Sequence, residues 1–371
     1  MEIKNEIKIN VLQVMNAAGA GGVSAVVLNY YKTLDRTKVH FDFAMADINL
    51  GKSGKEFEAL GCKFYKLPLK SKHPFKYRKC LKKILIDGKY DAIHVHGNET
   101  SFYPLYIAKK AKIKIRIAHA HTARKPVGII NKLKRLMSII LTKSVATNLL
   151  ACTRDAACSI FGKKSLSSDK LFVLKNAIDT KSFVFDADKR GKIRQELGLQ
   201  NNFCICCVGA LESVKNHKFA LQIFKEVLEA KPEARLVMVG DGSLRNDLEQ
   251  NAIELGISDK VLFLGRRNDV CDLLKGMDSF IMPSLYEGFP VAALEAATTG
   301  LPIHLSSEIS KDLSFYSQSH YLSLGDSMAW ANQILSCQSY DRTNGVIEVR
   351  EAGFEIQSTA KDLQFIYANK Q

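Results

Sequence analysis

Two rhythms of apolar residues alternate along the chain. Short apolar, β-branched runs fall at 7–15, 39–45, 62–67, 91–96, 113–119, 147–151 and 171–174. Between several of them the recurrence changes to helical spacing, as in the series Val23, Val26, Val27, Tyr30, Tyr31 and Leu34, and again at 81–85 and 105–111. Short strands separated by helices predict a parallel sheet covered on both faces. The grammar then restarts, with strands predicted at 203–208, 235–239, 261–264, 279–282 and 302–305. Helices are predicted between them at 219–228, 244–255, 270–275 and 291–298. The stretch 180–200 is polar and charged, which predicts a linker, and 356–368 returns to helical spacing. The expected class is α/β, with two Rossmann-like, doubly wound domains facing a central cleft. They are expected over 1–183 and 184–355, with a C-terminal helix in 356–371 packing back toward the first. Ligands of such sheets bind outside the C-terminal ends of the strands.

Length and composition agree with two soluble domains. The chain has 371 residues, 46% apolar and 25% charged, which excludes a disordered chain, a collagen-like repeat and a disulfide scaffold. The opening MEIKNEIKINVLQVM lacks the basic-apolar-small pattern of a secretory signal, and no apolar run approaches the ~18 residues that span a bilayer. Of the nine cysteines, Cys204, Cys206 and Cys207 sit inside one apolar run. Reduced core thiols and a cytoplasmic location are expected. Charge changes the picture more: residues 1–183 carry a net +21 and residues 184–371 a net −6, giving +15. A basic half beside a mildly acidic half predicts a polyanionic partner for the first domain only.

The chemistry concentrates in residues 283–300, PSLYEGFPVAALEAATTG. The segment leaves a predicted strand, turns at Gly288 and enters a helix with Pro290 near its first position. Glu287 stands just ahead of that helix, and Glu295 lies within it among valine, leucine and alanines. A carboxylate in so apolar a helix is expensive to bury unpaired. Adjacent ligand hydroxyls, as on a ribose, satisfy its two oxygens, and free amides at a helix start attract phosphate. Sugar at Glu287, phosphate at the helix start and ribose at Glu295 together describe a nucleotide sugar. The structural alternative is a capping Glu287 and an ion-paired Glu295.

These residues resemble a known family. EGFPVAALE is similar to the E-x7-E signature of retaining glycosyltransferases of family 4, which have the GT-B fold. VGDGSLR at 239–245, FLGRRNDV at 263–270 and VLKNAID at 173–179 resemble further family segments in the same order. SSEISKD at 306–312 is similar to the capsular and exopolysaccharide, EpsF-like members. The resemblance implies that Glu287, Gly288, Phe289, Pro290 and Val291 hold the donor sugar and that Glu295 holds the ribose. Asp241 and Arg266 fall in its donor-binding segments. Lys215, in VGALESVKN, matches the lysine on the donor diphosphate. The arginine that usually accompanies it is Ala210 here, with Arg266, Arg267 or a basic residue of the first domain as replacements.

In the first domain, the resemblance implies that Gly21 and Gly22 form a loop near the diphosphate and acceptor. His121, in His-Thr-Ala, matches a histidine at the reaction centre. His94, His96 and His119 read as polar strand-end residues and not as a metal site, since no carboxylate pattern accompanies them. No cofactor and no metal are expected. Asp186-Ala-Asp188 reads D-x-D by chance, because it lies in the predicted linker. The segment 126–141 alternates apolar residues with Lys132, Lys134 and Arg135, as an amphipathic basic helix on an anionic bilayer does. The resemblance therefore implies a retaining hexosyltransferase that uses a nucleotide sugar, with UDP as the expected nucleotide. It would act on a lipid-linked or growing polysaccharide acceptor at the inner face of the membrane. The alternative is a GT-B partner subunit without turnover, motivated by Ala210. Specific nucleic-acid binding is not expected, for want of an aromatic-basic platform or a recognised motif.

Overall fold

The computed structural model describes residues 8–17, 22–122, 128–337 and 341–369. The chain divides into two compact units, 1–178 together with 356–371, and 179–355. The division precedes the expected 183/184 boundary because Thr180 is held by Glu355 and Arg350 of the second unit.

The first unit is a seven-stranded sheet of β1 (Ile9–Val14), β2 (Val39–Met45), β3 (Phe64–Lys66), β4 (Ala92–Val95), β5 (Ile115–Ala120), β6 (Asn148–Ala151) and β7 (Leu171–Val173). Their order is β3-β2-β1-β4-β5-β6-β7, and every pairing is parallel. Leu12, Ile93, Ala118 and Leu149 are buried on successive strands, which is why these segments read as continuous apolar runs. The chain order reverses between β1 and β4, so a crevice opens at their C-terminal ends. The C-terminal helix Ile356–Ala368 belongs to this unit. It buries Ile356, Leu363, Ile366 and Tyr367 against it, and Ile356 N donates to Ile178 O (3.0 Å).

The second unit holds β8 (Cys204–Val208), β9 (Arg235–Val239), β10 (Val261–Gly265), β11 (Ser279–Met282), β12 (Ile303–Ser306) and β13 (Ser319–Leu322). The order β10-β9-β8-β11-β12-β13 is again wholly parallel, with its reversal between β8 and β11. Cys204 and Cys206 are fully buried and Cys207 nearly so, as apolar core residues, and the nine cysteines are all free thiols.

The expected linker is an integral part of this unit. Residues Ala187–Glu196 form a helix capped by Asp186, whose Oδ1 accepts from Lys189 N (3.0 Å). The D-x-D motif is therefore a helix start. Arg190 donates to Met277 O (2.8 Å) and Asp278 Oδ1 (2.6 Å), and Arg194 to Gly276 O (2.9 Å) and Asp278 Oδ2 (3.1 Å). The charge that reads as a linker thus satisfies buried carbonyls and one carboxylate. Among the described residues no helix is long and apolar enough to cross a membrane.

Candidate active site

The ends of β8, β9 and β10 are drawn together by glycines. Gly240 has φ +144°, and a Cβ there would lie 1.8 Å from Gly209 O. A Cβ on Gly242 would lie 2.5 Å from Leu211 O. Only glycine permits so close an approach. Leu211 N donates to Asp241 O (3.2 Å), Leu244 N to Leu211 O (3.0 Å), and Gly240 N to Gly265 O (2.9 Å). Ser243 donates to Glu212 through its backbone N (3.1 Å) and Oγ (2.9 Å). The loops that follow these strands are therefore cross-braced before any ligand arrives.

Lys215 closes the short turn Ser213–Lys215 and lays its stem against Gly209, where a Cβ would touch its Cδ at 3.5 Å. Its Nζ donates to Glu287 Oε1 (2.6 Å), which also accepts from Ser284 Oγ (2.8 Å). Leu285 N donates to Val214 O (2.9 Å), tying the loop after β11 to the loop after β8. The structure thus brings Lys215 and Glu287 together across the switch point of this sheet, each reached from one side of the reversal.

Beyond Glu287 the segment behaves differently from residue to residue. Phe289 is buried, with its ring stacked on Phe354 (5.3 Å), so only its backbone can face a ligand. Pro290 has no N–H, and Val291 N donates to Phe289 O (3.0 Å). Of the amides expected at the sugar, those of Gly288 and Phe289 have no partner among the described residues, while that of Val291 is already engaged. Glu295 stands in the helix Val291–Thr298, and its carboxylate finds no hydrogen-bond partner or ion pair among the described residues. Burial pushes that carboxyl up to about 7. An uncompensated carboxyl at such a position is the feature that a pair of ligand hydroxyls relieves.

The structure separates the two arginines offered as replacements for the one missing at 210. Arg267 is held by Asp269 (2.8 and 2.7 Å) and Glu196 (2.9 Å). Arg266, next to Gly265 at the end of β10, is exposed and makes no ion pair among the described residues. Ala210 and Asp241 are exposed on the braced loops.

The first unit carries a second polar cluster at its own switch point, which the sequence did not reveal as a unit. Gln13 on β1 lies beside His94 on β4. His96 Nε2 donates to Gln13 Oε1 (2.8 Å), so His96 Nδ1 is the acceptor for His121 Nε2–H (2.8 Å). His121 is left with a bare Nδ1. At its other end Gln13 Nε2 donates to Tyr367 Oη (3.2 Å), whose proton goes to His94 Nδ1 (2.6 Å). His94 Nε2 then donates to His119 Nδ1 (3.0 Å). One amide therefore sets the tautomers of four buried imidazoles. Burial holds all four neutral, lowering His94 to about 3 and His121 to about 4. His94, His96 and His119 each bring a nitrogen within 4.8 Å of the others. All but one of their six ring nitrogens are engaged in this network, and His119 Nε2 alone is buried without a partner among the described residues. His121 N is further anchored by Asn98 Oδ1 (2.8 Å). Gly22 opens the helix Gly22–Thr33, where a Cβ would meet no described atom within 4 Å, and Gly21 lies outside the described residues.

Comparison with known proteins agrees with both halves. The model for glycosyltransferase family 4 matches residues 20–182, and that for group 1 glycosyl transferases matches 189–309. The chain is 29% identical over 313 residues to the glycosyltransferase EpsF of Bacillus subtilis, covering 83% of this chain and 81% of that one. It is 33% identical over 238 residues to an Escherichia coli UDP-Gal:alpha-D-GlcNAc-diphosphoundecaprenol alpha-1,3-galactosyltransferase, covering 61% and 60%. Among solved structures, Anabaena HepE in complex with UDP and glucose superposes with a TM-score of 0.81 at 17% identity, covering 97% of this chain and 100% of that one. A family 4 segment followed by a group 1 segment, each on its own parallel sheet, makes this chain an EpsF-like family 4 glycosyltransferase with the two-domain GT-B fold.

Proposed function

We propose that this protein is a retaining hexosyltransferase that takes a UDP-sugar as donor and a lipid-linked or growing polysaccharide as acceptor. The observation that carries the reading is the Lys215–Glu287 pair at the β8/β11 switch point, with the uncompensated Glu295 one helix further on. The donor diphosphate displaces Lys215 Nζ from Glu287. Glu287 and the amides of Gly288 and Phe289 then take the sugar hydroxyls, and Glu295 takes the ribose. Lys215 and Arg266 stabilise the charge that develops on the leaving diphosphate, so the proposed reaction needs no metal and no cofactor. The bond from the sugar C1 to the diphosphate oxygen breaks, and a bond from C1 to the acceptor oxygen forms on the same face. The acceptor proton passes to the departing diphosphate, which leaves as UDP. The first unit holds the acceptor, with His121 at the reacting end.

UDP as the nucleotide is supported by the names of the Escherichia coli relative and the HepE complex, and a diphosphoundecaprenol acceptor by the former. We place the protein on the inner face of an anionic membrane. The support is the helix Ile129–Val145, whose residues Ile129, Leu133, Leu136 and Ile140 are each more than half exposed beside Lys132 and Lys134. Calorimetry with UDP and UDP-sugars, followed by donor hydrolysis and transfer with membrane extract as acceptor, tests the reading. Turnover of a UDP-sugar is the expected result, and no UDP binding overturns it. Ala210 favours one second reading, a binding subunit without turnover, and UDP binding with neither hydrolysis nor transfer selects it.

A further inference from the structure

The helix Ile129–Val145 buries only Thr142 and Val145 fully. Ile129, Ile130, Leu133, Leu136, Met137 and Ile140 are all more than half exposed. At about 100° per residue these six fall within an arc of about 120°, with Lys132 and Lys134 just beyond its two borders. The helix contains no acidic residue. A second copy of the same face meets its own cations with nothing to neutralise them, which disfavours self-association through this stripe.

Beside the helix runs a groove of about 520 Å³, lined by Phe102, Tyr103, Ile130, Leu133, Met137 and Leu141. The acid on its wall, Glu99, is neutralised by Arg135. Lys134 and Lys70 remain as its cations. Lys70 and Thr100 also line a second cavity of about 230 Å³, whose walls include Asn16, Ser71, His96 and Gly97. The two spaces therefore meet at Lys70, a half-buried ammonium anchored on Thr100 O (3.1 Å). An apolar channel, a cation, and a second, mainly apolar pocket with Asn16, Ser71 and the His96 ring on its wall follow one another within a single unit.

We propose that the first unit recognises its acceptor as an amphiphile, with a polyisoprenyl or long alkyl chain in the groove, the attached phosphate at Lys70, and the sugar in the adjoining pocket against His96. This deepens the glycosyl-transfer reading above and rests on it. An acidic peptide fits less well, because the groove wall is apolar along its length and the free cations stand at its margins. The bilayer meets the outer part of the stripe, at Ile129, Leu136 and Ile140, while one lipid chain occupies the inner part.

The test uses farnesyl diphosphate, a soluble short-chain probe, titrated into the full chain beside pyrophosphate and farnesol. Farnesyl diphosphate is expected to bind at least about ten-fold tighter than pyrophosphate. Leu133→Asp combined with Met137→Asp erases that margin. Lys70→Met weakens farnesyl diphosphate about ten-fold and leaves farnesol unchanged. Ile86→Asp, exposed on the same unit and outside both cavities, retains wild-type affinity and controls for folding. Equal affinity for pyrophosphate and farnesyl diphosphate overturns the proposal. So does binding confined to anionic vesicles, or a concentration-dependent dimer that the groove variants abolish. A UDP titration of the same wild-type preparation reports on the donor reading separately. UDP bound without farnesyl diphosphate removes only the amphiphile, and the reverse removes only the donor.

Discussion

Lys215 Nζ lies 2.6 Å from Glu287 Oε1, so the cation expected on a diphosphate and the carboxylate expected on a sugar neutralise each other in the ligand-free protein. The pair is mostly buried, and Ser284 fixes the shared oxygen. Removing one partner leaves the other charge uncompensated, at about 1–3 kcal/mol of stability. Lys215→Ala and Glu287→Gln are each expected to lower transfer by ~10²–10³. Lys215→Met combined with Glu287→Leu is expected to melt above either single variant while staying inactive. Thermal melts and turnover measured on the same preparations check this, and wild-type turnover from either single variant removes the mechanism.

Ala210 sits exposed on a loop whose backbone is braced by Asp241 and Gly240, with room for a longer side chain. Ala210→Arg is expected to raise donor turnover about ten-fold by adding a second charge-assisted contact to the diphosphate. Arg266→Ala is expected to lower turnover by a similar factor, and Arg267→Ala to act on stability through Asp269 and Glu196. Donor-hydrolysis kinetics of the three variants decide the matter. An inert Arg266→Ala shows that this residue is not the substitute.

Gln13 and Tyr367, 354 positions apart in sequence, set the protons of the histidine network. Gln13→Leu strands His96 Nε2–H in the interior and frees His121 to change tautomer. A stability loss of about 1–3 kcal/mol is expected. In ¹⁵N spectra of labelled histidine, one His121 Nδ1/Nε2 pair with a single protonated nitrogen should give way to averaged shifts. A spectrum identical to wild type contradicts the tautomer assignment.

Stability should depend on pH through these same imidazoles. Unfolded histidines titrate near ~6.5. The folded chain holds His94 at about 3 and His121 at about 4 through burial, with His96 and His119 lowered in the same direction. Below ~6.5 the unfolded state binds more protons, so this stability is fully present above ~6.5 and is lost as pH falls toward the folded values. Melting temperature is expected to be level from pH 8 to 7 and to drop steeply below about 6. A level profile down to pH 5 would count against the buried neutral network.

Glu295 carries the opposite sign. Burial raises its carboxyl to about 7, against ~4.3 when unfolded. Its contribution is present below the unfolded value and is lost as pH rises through the folded one. Glu295→Gln is therefore expected to melt above wild type at pH 8 and to bind UDP more weakly. Tighter UDP binding by the variant excludes a ribose-holding carboxylate.

Where a side chain's burial follows from its neighbours in sequence, the structure was legible in advance. The apolar runs that became β1, β4, β8 and β11 are buried on both faces, so nothing in them dilutes the signal. β13 (SHYL) was missed because it is a half-buried edge strand with a polar start. The helix Ala187–Glu196 was misread because its inward contacts are guanidinium groups on carbonyls, and composition cannot distinguish these from solvated charge. At the site, spacing brought out Glu287, Glu295 and Lys215 but not the bond between Lys215 and Glu287, which depends on strand order. Of the second cluster the sequence brought out the four histidines but not Gln13, which lies inside the apolar run Val11–Val14. Its partner Tyr367 has no local signal at all.

The closing helix has a further consequence for how the molecule is made. Tyr367 belongs to the first unit, yet the ribosome reaches it only after all of 179–355 has been synthesised. The half that emerges first therefore waits with an open flank, its glutamine and four imidazoles unsealed, while the later half can already complete itself. A chain cut short by its last dozen or so residues would lose the older half's keystone and keep the younger half whole.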